Sequence, residues 1–512
     1  MVAVRRSRSA HRVPHPQPGP WRARSLASTQ QREVCSPERR SRRREYGGPG
    51  RRPRPAARSC SSSQTLTSPS TDPGASHARP SAVGPDCRRA SHGTRTRRPR
   101  AACRRHARGG SRMRTCLITL AVGTFAIGID VLVTAGLVAP MSRDLQVSES
   151  AAGQLVTVFA LSYAILSPLL AALTARASRK HVLLAALTLF VLGNVATALA
   201  PTYALVMVSR VVAAAGASLY TPNASAAAAA IAPPESTGRA IATVMGGLTV
   251  ATALGVPIGS FIGGNVNWRG TMWLVAALGA IALVGVTLVI PHIQLPVPIK
   301  LRDRLAPLGD RRVVAALALV MLVFSSFYAL YTYLGPVLNP ATGGNATKLS
   351  VLLCVYGSMA VVGNTIGGRL ADTRDPSKVR FTALACFAAV LAMVPVGRHW
   401  FVGALVWVAL LGVPGAIQYV SHLKLLVELV PQATPLLLGL NASAQYLGMG
   451  IGGAVGGAAL GAWGPSSLGW ISTTTLLAAV VLALTALRHP ASLPQSTAPE
   501  SASVRGRSAM PS

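Results

Sequence analysis

Carboxylates are scarce in this 512-residue chain: 15 Asp and Glu stand against 50 Lys and Arg, for a formal charge of +35. Only 13% of residues are charged and 5% are aromatic, while half are hydrophobic. The seven cysteines show neither CxxC nor metal-ligand spacing, so no disulfide framework and no zinc site is expected. His181, His399 and His422 are scattered near loop edges, with no partner spacing for metal binding or nucleophilic catalysis. A glycine-rich phosphate loop is missing too, which argues against drive by ATP. No nucleophile, base and metal set converges, so an enzyme is the least supported class and no cofactor is expected.

What the chain does have is length of apolar run. From about 115 to 487 it is a succession of twelve apolar stretches of roughly 18–25 residues, the length a helix needs to cross a bilayer core of about 30 Å. Lipid offers the backbone no hydrogen-bonding partner, so such a chain is an all-α integral membrane protein. The spans fall near 116–139, 151–174, 181–200, 203–225, 239–262, 271–290, 313–337, 349–371, 379–397, 400–421, 435–461 and 468–487.

Residues 1–112 are a different material, with about 27 Arg, no Lys and 5 acids. This Arg-, Pro- and Ser-rich stretch has too little apolar surface to offset chain entropy and is expected to be disordered, as is the tail at 489–512. Its Arg clusters would suit nucleic acid or anionic lipid, and its composition also suits an organellar leader. The absence of Lys beside so many Arg points instead to GC-rich codons ahead of a natural start at Met113. On that expectation the tail has no role and no nucleic-acid partner is implied.

Basic residues fall unevenly in the breaks between spans. One set holds Arg176, Arg179, Lys180, Arg239, Lys300, Arg302, Arg304, Arg311, Arg312, Arg369, Arg374, Lys378, Arg380 and Lys424; the other holds Arg143, Arg269, Lys348 and Arg398. By the positive-inside rule both termini are cytoplasmic. The basic break at 291–312 becomes a cytoplasmic linker between six-helix bundles at 113–290 and 313–488. Weak internal symmetry supports a duplication: Gly255, Gly259 and Gly263 in span five repeat as Gly448, Gly452 and Gly456 in span eleven.

Four motifs then carry a resemblance covering about 114–488. Gly128-Ile129-Asp130 through Gly136-Leu137-Val138-Ala139-Pro140 and Asp144-Leu145-Gln146-Val147-Ser148 form a first-helix signature. Ser209-Arg210-Val211 with Gly216 forms a fourth-helix motif. Gly255-Val256-Pro257-Ile258-Gly259 sits in the fifth span, and Gly368-Arg369-Leu370-Ala371-Asp372 opens a loop motif in the second half. Together they resemble the major facilitator superfamily, and within it the twelve-helix drug:proton antiporter branch, near the arabinose, chloramphenicol and purine-nucleoside efflux permeases. In the loop after span two, Ala171, Ala175 and Ser178 replace the family's Gly, Asp and second Gly, while Arg176, Arg179 and Lys180 remain.

Candidate site residues follow from charge and polarity at membrane depth. Each charge near a helix centre costs a few kcal/mol and persists for a reason. Asp130 and Arg210 lie roughly 15 and 10 Å from the same membrane face, by helical rise. Burial favours a protonated carboxylate and a nearby guanidinium an ionised one, so the pair is expected to load and release protons. The resemblance likewise assigns proton coupling here; the plainer reading is a structural pin between helices. Gly255, Pro257 and Gly259 are expected to kink span five and gate it, or simply to pack it. Arg176, Arg179, Lys180, Arg369 and Asp372 are candidates for a cytoplasmic latch. Asn441 and Gln445, one helical turn apart, with Asn223, Asn364 and Tyr331, are candidates for the substrate cavity.

The expected activity is proton-coupled efflux of a small drug-like molecule or metabolite by alternating access. The protein would work as a monomer in the inner membrane of a bacterium, with the proton gradient as energy source. The rivals are a proton symporter or facilitator for sugars or nucleosides, and a non-transporting receptor or scaffold.

Overall fold

The computed structural model describes residues 99–292, 306–431 and 434–486. The expected extension at 1–112 therefore lies outside the described residues as far as 98, the linker between 293 and 305, and the tail from 487. Among the described residues the chain is all helix and loop. The first half comprises α1 (Pro99–Leu132), α2 (Thr134–Asp144), α3 (Glu149–Leu173), α4 (Arg179–Leu199), α5 (Tyr203–Ile231), α6 (Thr237–Val250), α7 (Val256–Asn265) and α8 (Trp268–Val289). The second comprises α9 (Arg311–Tyr331), α10 (Leu334–Thr342), α11 (Ala346–Thr373), α12 (Pro376–Ala392), α13 (Val394–Gly397), α14 (Phe401–Leu429), α15 (Thr434–Trp463) and α16 (Ser467–Ala486).

Among the described residues these helices can be grouped into twelve candidate membrane crossings. Ten helical stretches meet the length and hydropathy needed to cross a bilayer. The ninth crossing is built from α12 and α13, and the eleventh is α15. Span one is α1 continued by α2, and span five is α6 and α7 joined through a π-helical turn, Ala251–Gly255. The breaks are set by capping side chains. Ser148 Oγ accepts from Ala151 N at 3.1 Å, Asn345 Oδ1 from Lys348 N at 3.0 Å, and Asp375 Oδ1 from Ser377 N at 2.8 Å.

The two halves repeat one packing scheme. In the first, Cβ atoms added at Gly255, Gly259 and Gly263 would meet Ile129, Val133 and Leu137, so span five lies against span one. In the second, Cβ atoms at Gly448, Gly452 and Gly456 would meet the Met321, Ser325 and Ala329 carbonyls, so span eleven lies against span seven. Small residues allow such close approach where lipid gives no hydrophobic drive between helices. Large apolar side chains such as Ile165, Leu173, Leu192 and Leu288 stay exposed for lipid. The halves meet where α3 runs along α15 and α7 along α11.

Close packing makes the fold sensitive to added volume. A Cβ at Gly216 in α5 would lie 2.4 Å from Phe190 N and 2.6 Å from Ala186 O, both backbone atoms of α4. Gly216→Val is expected to cost at least about 1–3 kcal/mol and to deplete monodisperse protein in detergent. Gly238→Val, which enters open space, is the matched control and should elute as the parent does.

Candidate functional site

Asp130 and Arg210 meet inside the first half. Arg210 Nη1 donates to Asp130 Oδ1 at 2.6 Å and Nη2 to the Asp130 carbonyl at 3.4 Å. The side chains are 0% and 4% exposed. Asp130 Oδ2 has no partner among the described residues. The Arg210 guanidinium also lies 4.5 Å from the Phe159 ring centre on α3. A buried pair of this kind binds α1, α5 and α3 together, and it leaves one carboxylate oxygen unpartnered among the described residues.

The halves are closed on each other at the end remote from the basic loops. Ser150 Oγ donates to Gly457 O at 2.6 Å across the halves, and Tyr333 OH, fixed within the second half by donating to Gly453 O at 2.9 Å, also lies 3.4 Å from Ser150 O. Gln154 Nε2 reaches the same Tyr333 hydroxyl at 3.4 Å. Deeper in, the Tyr163 and Tyr446 rings stack across the halves at 3.5 Å. Nearer the basic end, a Cβ added at Gly246 on α6 or at Gly439 on α15 would meet nothing within 4 Å.

Between the closed end and the basic end lies a cavity of about 250 Å³, bounded by both halves. Asn364 lines it. Gln445 stands one step behind, its Nε2 donating to Tyr419 OH at 3.1 Å, and Tyr419 lines the wall. Tyr331 is buried behind the wall, its ring 4.8 Å from Phe327 and 5.4 Å from Tyr356. Asn441 turns to α14, where it meets His422 Nε2 at 3.1 Å. Asn223 is elsewhere: its Oδ1 accepts from Arg179 and its Nδ2 donates to Leu219 O, within the first half. Residues that went unnoticed in the sequence include Gln418, Ser150 and Gln154. A sequence signal for part of the wall exists: Phe324, Phe327, Tyr328 and Tyr331 recur at i, i+3, i+4 and i+7, an aromatic stripe on one helix face.

Span five is irregular just before Pro257. Pro257 has no N–H to give to the Ala253 carbonyl, and the π turn takes up the irregularity. Cys354 Sγ of α11 lies 3.7 Å from that freed carbonyl. A Cβ at Gly357, one turn on, would lie 2.1 Å from Thr252 O. The irregular turn is therefore one of the places where spans five and eight touch across the halves, next to the packing of α7 along α11.

The basic-end residues are dispersed. Lys180 Nζ donates to Thr287 O at 2.8 Å, tying α4 to α8, and Arg179 holds Asn223. Arg176, Arg369 and Asp372 are exposed, and neither ion pair formed among the described residues includes them.

The second ion pair is at the closed end, where Arg269 and the Trp268 indole both donate to Asp144 Oδ2. The Arg269 hydrogen bond holds the Asp144 carboxyl below its ordinary value of 3.8, outweighing partial desolvation, with Trp268 adding to the effect. A depressed carboxylate stabilises the fold above its unfolded pKa, and that contribution disappears as acid protonates it. The pair is partly exposed, so it is worth under about 1 kcal/mol. Asp144→Asn should lower the melting temperature slightly at neutral pH, and the difference should fade as the pH falls from 3.8 through the lowered folded-state value.

Known proteins share this architecture. The Major Facilitator Superfamily profile matches residues 120–339 and 317–510. The inner membrane transport protein YdhP of Escherichia coli (strain K12) is 30% identical over 371 residues, which are 72% of this chain and 94% of the relative. The chloramphenicol resistance protein of Streptomyces lividans is 35% identical over 267 residues, 51% of this chain and 68% of the relative. Among solved structures, a D-xylose-proton symporter superposes with a TM-score of 0.59 at 17% identity, covering 72% of this chain and 96% of that one. The nucleoside transporter NupG superposes with a TM-score of 0.60 at 13% identity, covering 73% and 100%. At such identities the two structures share the fold alone. The relatives are transporters rather than enzymes, and the chain belongs to the Major Facilitator Superfamily as a multi-pass membrane transporter.

Proposed function

We propose that this transporter exports a small drug-like molecule or metabolite from the cytoplasm in exchange for protons. It would act as a monomer in a bacterial inner membrane, with both termini and the basic loops cytoplasmic. The observation that carries this reading is the buried Asp130–Arg210 pair, whose second carboxylate oxygen is unpartnered. A proton on Asp130 neutralises the counter-charge of Arg210. The guanidinium is stacked on Phe159 of α3, and α3 also carries Ser150, Gln154 and Tyr163, which close the halves. Protonation would thus bias the seal through one rigid helix. In the orientation proposed, the cavity opens to the cytoplasm, ready for cargo.

Export rather than uptake is favoured by the likeness to a chloramphenicol resistance protein. Inside-out vesicles separate the two directions. With an acid lumen, an exporter accumulates its cargo inside, and a protonophore abolishes the accumulation. A symporter run against that gradient would release cargo instead, and that result would replace the antiport reading. Drugs, nucleosides and sugars form the test panel.

A further inference from the structure

The lining of the central cavity is specific enough to name a class of cargo. Six rings face or border it, all from the second half: Phe324, Phe327 and Tyr328 on α9, Tyr356 on α11, Phe387 on α12 and Tyr419 on α14. They hold one another in place. Phe327 lies 5.8 Å from Tyr356 with planes 20° apart, and Phe324 meets Tyr419 edge to face at 6.0 Å. The first half supplies only Leu132, Leu248, Thr249 and Thr252. One wall is therefore a rigid aromatic surface and the other a short aliphatic and hydroxyl surface. Planar π-systems fit such a slot, because offset and edge-on ring contacts add to area burial.

Charge is missing from this lining among the described residues. The buried charges lie elsewhere. Asp130 and Arg210 neutralise each other inside the first half. Arg380 is fully buried on α12, two turns from Phe387 towards the basic end, and is not part of the wall. A cationic or anionic cargo would enter the cavity without a counter-charge, which burial penalises heavily.

One polar group in the wall is unspent. Gln418 is 1% exposed and borders the cavity, and its Nε2, buried behind the cavity surface in this state, has no partner among the described residues. An amide N–H donor left unmatched favours a ligand that brings an acceptor oxygen.

We infer that the cavity takes an uncharged planar aromatic molecule carrying a carbonyl-type acceptor, which receives a hydrogen bond from Gln418 Nε2 as that buried side chain turns toward the cargo. This rests on the central cavity being the transport site, and it deepens the export reading. It excludes two other classes: sugars, whose many hydroxyls need more convergent polar groups than the wall supplies, and organic ions.

A matched series tests it at equilibrium, without any gradient, on the purified full chain. The probes are 2-naphthamide, 2-naphthoate, 2-(aminomethyl)naphthalene and 2-ethylnaphthalene, with xylose and uridine as polar comparators. The expected result is 2-naphthamide binding about tenfold or more tightly than any other member. Gln418→Met should remove most of that advantage and leave 2-ethylnaphthalene binding unchanged. If that variant does not fold, the amide-to-ethyl comparison on the unaltered protein still reads the hydrogen bond. Preference for 2-naphthoate, lost in Arg380→Gln, would overturn the inference and transfer the site to Arg380. Preference for the ammonium, for xylose or for uridine, or no binding by any naphthalene, would overturn it as well. None of these outcomes depends on proton coupling, which is read separately from flux.

Discussion

Asp130→Asn is expected to reduce proton-driven transport by about a hundredfold or more while leaving cargo-for-cargo exchange nearly intact. The asparagine keeps the shape and one acceptor oxygen of the carboxylate but cannot carry a titrating proton. Exchange needs the cavity and the movement of the halves; net pumping also needs a group that loads a proton in one state and releases it in the other. The substitution has a second effect. It strands Arg210, 4% exposed, beside a neutral amide, and breaking a buried pair from one side costs about 3–5 kcal/mol. Asp130→Asn/Arg210→Gln removes the stranded charge and should recover much of that stability without recovering pumping. A structural pin predicts the reverse: stability and pumping would rise and fall together across the two variants.

Gly357→Val should force the halves out of the access state described here. Its Cβ would lie 2.1 Å from Thr252 O and 2.8 Å from Ala253 Cα, both backbone atoms that no rotamer change can move. Because α11 and the π turn belong to different halves, relief comes from separating the halves. Overpacking of about 1–3 kcal/mol corresponds to roughly a 5- to 150-fold shift in a two-state equilibrium. Cys354 reports it directly, since its thiol sits at the same contact on the Ala253 carbonyl. Maleimide labelling at Cys354, located by peptide mass spectrometry, is expected to accelerate about tenfold. An unchanged rate with normal transport would show that this contact does not hold the state. Gly216→Val, by contrast, is expected to damage one half internally, so the two glycines separate gating from folding.

The fold was legible in the sequence because lipid imposes it. A bilayer dictates the length of each apolar run, and the structure adds the capping side chains, such as Ser148, Asn345 and Asp375, that fix where helices begin. The Asp130–Arg210 pair was legible for a related reason: charge in hydrocarbon needs a partner, and helical rise put the two at similar depth. The glycine repeats announced the symmetry but not their partners, span one and span seven. The cavity was far less legible, because its lining depends on how each helix is rotated. Asn223 and Asn364 look equivalent in sequence, yet one is held by Arg179 and the other faces the cavity. His422, set aside as scattered, meets Asn441 only because α14 and α15 pack side by side. Gln418 carries no sequence signal at all; its importance comes from an unpaired donor in a charge-free wall.

The most direct test of exchange is substrate-induced proton movement in inside-out vesicles whose lumen has been acidified by respiration. A fluorescent amine reports the lumen pH, and cargo is added to the outside, which is the cytoplasmic face. Proton-coupled export predicts that cargo drives protons out of the lumen and restores fluorescence in the unaltered protein, with no response in Asp130→Asn. An equal response in both proteins would contradict the assignment of Asp130. Transport of cargo with no proton movement in either would contradict coupled exchange itself.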